Sequence, residues 1–415
     1  MNRNGKIIKL TVISVVNAIV LLLFCYFADN WRFSILTGPS VGQRLEEARL
    51  MYELSKDSLS EEYFSIPEEY LFVNIAYDRQ LVTAVDEYGL PLGNIDITDR
   101  GKLNEFLSQL EDSHKYVILD VLLSKKYSSE ADSALVQTIL ATDRIGIGTS
   151  SGDELIDGRL ADKAGSADYS INLYETNFVK YEFLNDSIVS LPYKAFMELN
   201  PQETPINSTG PFHFHNGRFA LKALTLKFPV KATLQKKYAK RSIGDVNMEE
   251  VVLLNLGNDI LEMGIPVAEL VKDKIVVIGD FTEADIHDTY LGKISGPVIH
   301  VNALDALCRN ELEIPWWLII FLLILYSGVT FSILMPDSYH KIIGRRLTRL
   351  KPKSSLILFI LSFAGYTAFF TVVAVVIYLS ADIDINVLIP SVWFTIMAAI
   401  KRYRKGVFEK HYKSI

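Results

Sequence analysis

Four apolar stretches divide this 415-residue chain, one near its start and three crowded at its end. A spanning helix needs about 20 apolar residues, because the hydrocarbon core is about 30 Å thick and a helix rises about 1.5 Å per residue. Leu10–Ala28, Trp316–Met335 and Leu356–Leu379 reach that length with no charge inside. Val387–Ile400 is shorter and contains Pro390, yet Asp382 and Asp384 precede it and Lys401, Arg402, Arg404 and Lys405 follow it. That asymmetry predicts a fourth crossing. Between the first stretch and the second lies a polar segment, Asp29–Pro315.

Short loops beside membrane helices keep their basic residues on the cytoplasmic side. The stub 1–9 carries Arg3, Lys6 and Lys9. The loop 336–355 carries Lys341, Arg345, Arg346, Arg349, Lys351 and Lys353 against Asp337. The tail 401–415 has six basic residues against Glu409, and the loop 380–386 has only acids. All four segments predict cytoplasmic termini and an extracytoplasmic Asp29–Pro315, in the cell (inner) membrane. The first stretch is longer than a signal-peptide core and no small-x-small site closes it, so it reads as an uncleaved signal anchor. Phe24 stands where the lipoprotein-like run Leu22–Cys25 would need a small residue.

The formal net charge of −7 conceals a division: Asp29–Pro315 holds 27 Lys and Arg against 45 Asp and Glu, a balance of −18. Such an acidic segment argues against nucleic acid and against adhesion to an anionic membrane surface. The basic inner loop and tail meet membrane lipids, and topology accounts for their charge. Of the two cysteines, Cys25 lies in the first stretch and Cys308 just before the second. The outer segment therefore has no internal disulfide, and it is large enough to bury a core without one.

Within it, Arg44–Tyr63 has helical spacing and reads as a stalk. Leu71–Tyr77, Tyr116–Leu123, Arg144–Gly148, Val251–Leu256 and Lys274–Gly279 are short apolar runs that read as buried strands, with Asp120 inside the second. Between them Lys102–Leu110, capped by Thr98 or Asp99, then Ser133–Ala141, Leu191–Leu199 and Val298–Arg309 read as helices. Asp168–Leu173 and Asn177–Leu184 predict a hairpin, and Asn200–Gly217 a loop. Strands alternating with helices predict an α/β domain with a mixed, largely parallel sheet covered by helices, carried on four transmembrane helices.

The string Lys274–Leu307 resembles the closing block of the second class of CHASE extracellular sensor domain, CHASE2. Its matching positions are Lys274, Gly279, Asp280, Asp288, Thr289, Gly296, His300, Ala303 and Leu307, and Tyr116–Leu123 followed by Asp132 is similar to the family's upstream block. The layout, one helix before the domain and a three-helix unit after it, is also similar. The resemblance implies a sensor. Relatives often continue into an output domain, whereas this chain ends 15 residues after its last apolar stretch, so output through a separate partner is expected.

Ligands of open α/β sheets settle beyond the C-terminal strand ends. Asp78, Asp120 and Asp280 fall at or near such ends, with Asp132 and Asp288 shortly after. With His300 from the family block, these are the candidate ligand-binding residues. Converging carboxylates suit a hard cation or a cationic or hydroxyl-bearing ligand; each Asp equally suits a helix cap or a turn. His213 and His215 share one strand face but lack further zinc ligands, while Asp285, His287 and Asp288 form a second group. Gly146–Gly152 lacks the order of a phosphate loop. Lys236–Arg241 reads as a solvated charge run. With no nucleophile–base pair, no catalytic residue and no cofactor are expected. The leading expectation is a membrane-anchored sensor that binds a small ligand and signals through a separate partner, with a homodimer left open. A structural subunit docking another envelope protein and a carboxylate-dependent hydrolase are the alternatives.

Overall fold

The structure is a computed structural model that describes residues 3–30, 41, 44–45, 48, 69–85, 90–150, 152–168, 170–171, 178–184, 188–224, 226–227, 253–282, 285–289, 292–335, 355–381 and 383–412. The stalk expected over Arg44–Tyr63 and the charge run Lys236–Arg241 fall largely or wholly outside them. The chain forms two compact units. One comprises Arg49–Ile206 and Lys222–Leu312; the other comprises Met1–Ala48, Asn207–Leu221 and Glu313–Ile415.

The first unit is built on a six-stranded parallel sheet in the order Leu253–Asn255, Tyr70–Asn74, Ile275–Gly279, Tyr116–Leu119, Ile145–Thr149, Ala164–Ser166. The four central strands are buried along their whole length. That explains why they read as unbroken apolar runs rather than alternating ones. Leu71, Val73, Val117, Leu119, Val276 and Ile278 share a core with Leu103, Phe106, Leu135 and Ile139, from the helices Arg100–Leu107 and Asp132–Ala141. Leu191–Leu199 and Gly296–Cys308 pack against the sheet and against each other.

Local chemistry explains where the helices begin. Asp99 accepts hydrogen bonds from the amides of Gly101 and Lys102, as the sequence expects of a cap. Ser190 caps Leu191–Leu199 through the amide of Tyr193, and Pro192 occupies its first turn. That helix starts hard against the edge strand: a Cβ on Gly165 would lie 2.6 Å from the Leu191 Cα. Only a residue without a side chain fits there.

Three readings are corrected. The second strand ends at Leu119, so Asp120 follows it instead of lying inside it. A hairpin the sequence did not suggest, Arg79–Val85 with Pro91–Thr98, precedes the first of these helices. Asn200–Gly217 is not all loop, because Asn207–Thr209 and Phe212–His215 are strands.

Those two strands belong to the second unit, in an antiparallel sheet with Arg218–Ala220 and Glu313–Ile314. Tyr26 of the first helix, Arg3–Asp29, anchors this sheet. Its hydroxyl accepts the His213 amide at 2.9 Å and donates to the Ala220 carbonyl at 3.1 Å, while its ring stacks on Phe212 at 5.7 Å. His213 and His215 serve this sheet separately. His213 Nδ1 meets the Ser208 hydroxyl at 2.8 Å; His215 Nδ1 meets Glu313 at 3.0 Å, and Arg218 pairs with the same carboxylate.

Among the described residues, length and apolar composition support three membrane-spanning helices, Gly5–Asp29, Trp316–Leu334 and Leu356–Ala381, where the sequence reading expects four. Leu388–Tyr412 is helical as well, but its apolar part is short and gives way to Lys401, Arg402 and Arg404.

Replacing Gly165 by Val should lower stability by about 1–3 kcal/mol or more, because the added carbons meet fixed backbone. Gly158→Ala, where a Cβ meets nothing within 4 Å, should be close to neutral. Thermal unfolding of the detergent-solubilised full chain reads both. Equal melting of the Gly165→Val chain and the parent would refute the close approach.

Candidate functional site

Side chains alternate along a strand, so Asp120 continues the row of Tyr116 and Ile118, on the face opposite Leu119. It stands between the ends of its two neighbouring strands. A Cβ on Gly148 would lie 3.2 Å from its Oδ1, and one on Gly279 3.4 Å from its Cβ. Gly279 also admits Pro297: a Cβ there would come within 2.4 Å of the proline ring. The helix Gly296–Cys308 can therefore begin directly on the sheet end, and one turn later it presents His300.

His300 is 3 % exposed, with Nε2 3.3 Å from Asp120 Oδ2 and Nδ1 3.0 Å from the Tyr181 hydroxyl. Tyr181, fully buried on the strand Phe178–Glu182, meets the imidazole edge to face. At the start of the same helix a Cβ on Gly296 would collide with the Asp285 carboxylate at 2.1 Å. Asp285 accepts from His287 Nε2 at 2.8 Å, and its charge reaches both Asp120 and His300. Two carboxylates, two imidazoles and a phenol thus gather at one strand end.

Burial alone would push the His300 pKa down; the Asp120 carboxylate, its hydrogen bond and Asp285 outweigh that and raise it above the ordinary imidazole value. Burial raises the Asp285 pKa; the His287 hydrogen bond opposes the rise and Asp120 adds to it. Burial, with Asp120, holds Tyr181 well above the usual phenol value, so its hydroxyl keeps its proton. Tyr181 can therefore donate to a neutral His300 or accept from a charged one.

The other candidates sit elsewhere in the polar network. Asp78 accepts from Lys102 Nζ at 2.7 Å and from the Gly257 amide at 2.9 Å. Asp280 pairs with Arg79 at 2.8 Å and accepts the amide and hydroxyl of Thr282. Asp132 pairs with the buried Arg100 and accepts the Ser129 amide at 2.9 Å. Asp288 is exposed on Ile286–Thr289, opposite Lys293. Of the six candidates, only Asp120 and His300 are brought into contact. Among the described residues, no three His, Cys, Asp or Glu side chains form a metal-binding group.

A division by partner follows. Asp78, Asp280 and Asp132 face Lys or Arg, whose charge is permanent between pH 5 and 9. Asp120 and Asp285 face histidines, whose charge is conditional. Tyr181 was missed by sequence reasoning, since an aromatic residue in a strand looks like core. Its only signal was a polar tip on a residue predicted to be buried.

The sign of the pH dependence follows from the raised pKa of His300. Its contribution to stability is full below the unfolded imidazole value of about 6.5 and is lost as the pH rises through the folded value. Asp285, also raised, acts in the same direction. Melting temperatures of the full chain measured from pH 5 to 9 should fall toward high pH by more than those of His300→Gln. Parallel curves would show that His300 carries no such linkage. Tyr181→Phe should cost about 1–3 kcal/mol, because it leaves a buried imidazole nitrogen without its partner.

The family model of the CHASE2 domain matches residues 42–333. No curated protein and no solved structure matches the chain. The matched stretch takes in the parallel sheet, the Asp120–His300 contact and the second apolar helix almost to its end. With well over half its length in that match, the chain belongs to the CHASE2 family of extracellular sensor domains.

Proposed function

We propose that this protein is a four-pass membrane sensor whose extracytoplasmic domain binds a small ligand at the Asp120–His300 strand end and signals through a separate partner. CHASE2 is a sensor family and not an enzyme family, in keeping with a membrane protein that detects a signal. The observation that carries the ligand assignment is the meeting of Asp120, His300, Tyr181 and Asp285 where open α/β sheets bind their ligands. Asp78, Asp280 and Asp132 are instead held in ion pairs of their own.

A fourth crossing has support inside the second unit. Trp393 Nε1 donates to Asn17 Oδ1 at 3.2 Å, and Asn17 Nδ2 donates to Thr330 Oγ1 at 2.8 Å. This polar chain joins the last helix to the first and second within their apolar stretches, where hydrogen bonds between helices replace absent water. Lys401 Nζ donates to the Met335 carbonyl and Arg402 to that of Leu358. The basic end of the last helix thus lies level with the end of the second and the start of the third. Four crossings place both termini on one side, in line with the basic residues of 1–9, 336–355 and 401–415. Signal transfer runs along the chain from the helix Gly296–Cys308 through 309–315 into Trp316. A ligand shifts that route only by binding one of its conformations better.

Docking to another envelope protein is the second reading. It rests on exposed Tyr77, Leu81 and Leu90 at the hairpin Arg79–Val85 with Pro91–Thr98.

A thermal-shift screen of the full chain in nanodiscs should find a small molecule that stabilises without being consumed. At 100-fold excess over Kd the gain is about 2.7 kcal/mol. Asp120→Asn should abolish that gain while the protein still folds. Conversion of the molecule to product would favour an enzyme, and no stabiliser alongside a cross-linked protein would favour docking. A membrane-impermeant maleimide should label exposed Cys308 in intact cells. Labelling confined to inverted vesicles would overturn the orientation.

A further inference from the structure

We propose that the Asp120–His300–Asp285–His287 cluster is a proton-binding site, so that the ligand read by this sensor is the proton and the stimulus is acidification outside the membrane. The inference rests on the sensor reading above and names its ligand.

The first ground is the choice of partners. Arg79, Arg100 and Lys102 neutralise Asp280, Asp132 and Asp78 at every physiological pH. At the strand end the domain instead sets two carboxylates against imidazoles, the side chains that change charge between pH 5 and 8. With His300 neutral, Asp120 is an uncompensated negative charge against a buried ring, with Asp285 adding a second charge nearby; with His300 protonated the Asp120–His300 pair is balanced. Like charges at close range in a medium of low dielectric repel strongly, so the empty cluster is the unstable one.

The second ground is contact. His300 touches both Asp120 and Tyr181, and Asp285 touches His287.

The third ground is position. His300 and Gly296 belong to one helix, and Asp285 lies against that helix's first residue. Protonated His300 ties the helix to Asp120 by a charge-assisted hydrogen bond. Once the proton is lost, Asp120 and Asp285 are left repelling each other across the helix start. The chain that leaves this helix at Cys308 reaches the membrane helix at Trp316.

The charged groups around His300 allow this response. Asp120 comes from the central strand end, Tyr181 from Phe178–Glu182, and Asp285 with His287 from the segment before Thr289. Asp168 acts on Tyr181 and adds negative charge. The packed helix Leu191–Leu199 brings Lys194 and Glu198, which pair with each other at 3.3 Å. Lys293 of Gly292–Ser295 is exposed, and on the helix itself Asp305 pairs with Arg309 at 2.9 Å. The strand Ile275–Gly279 contributes no charge. Raised pKa values at His300 and Asp285 accord with proton uptake.

Hydrogen exchange of the full chain in nanodiscs, corrected for the intrinsic pH dependence of exchange, tests the proposal. Protection over 296–308 should rise between pH 8 and pH 5.5, by about tenfold for each unit by which the His300 pKa differs between the closed and open helix. His300→Gln should flatten the profile. Should that variant melt too low to measure, Asp285→Asn should keep the response but move its midpoint to lower pH, because one charge that favours the imidazolium is gone. Unchanged wild-type protection, or the same rise in His300→Gln, would overturn the proposal. A flat pH profile in a chain still stabilised by a small molecule overturns the proton assignment alone. A flat profile with no stabilising molecule overturns the sensor reading with it.

Discussion

Two helices reach the ends of the parallel strands because the sheet carries no side chain where they touch it. Gly165 lets Leu191–Leu199 start against an edge strand, and Gly279 lets Pro297 seat at the end of a central one. Parallel sheets are covered on both faces, and a covering helix normally stands about 10 Å away, held off by side chains. Removing the side chain at the point of contact brings the helix start close to the strand end. That approach carries His300 to Asp120 and sets Gly296 beside Asp285. The site follows from this packing and not from a loop that could move independently.

Close packing then makes the electrostatics decisive. A buried carboxylate is tolerated when it is paired and hydrogen-bonded. The domain meets that requirement in two ways, with arginine or lysine for Asp78, Asp132 and Asp280, and with histidine for Asp120 and Asp285. The first kind fixes the geometry of the hairpin and the first helix. The second makes the closeness of one helix to one strand end depend on proton occupancy. In a domain whose sequence balance is −18 over Asp29–Pro315, the placement of a few cations distinguishes a brace from a responsive site.

Much of the sheet was legible because its signals are local. Ile145–Thr149 and Ile275–Gly279 lie within a residue of the apolar runs that predict them, Tyr70–Asn74 ends three residues before its run does, and Leu191–Leu199 matches its prediction at both ends. The strand after Tyr116 was read four residues too long, since Asp120-Val-Leu-Leu continues an apolar pattern that the backbone leaves at Leu119. The strands Asn207–Thr209 and Phe212–His215 were invisible among Pro, Asn, Ser and Gly. They are held by Tyr26, nearly two hundred positions away, and no local pattern reports that contact. Similarly, Asp120 and His300 were both named as candidates, but their contact was not foreseen.

Apolar length, basic flanks and the alternation of strand with helix are properties of neighbouring residues, so the chain's order alone establishes a membrane-anchored α/β domain. Which aspartate meets an arginine and which meets a histidine depends on strand order in the sheet and on where glycine permits contact. Those are relations between residues far apart in the chain, and they exist only once the sheet has formed. Asp120 and Asp280 occupy like places in the sheet, each directly following a buried strand. Folding separates them, because the helix seated on Gly279 delivers His300 to one and the hairpin delivers Arg79 to the other.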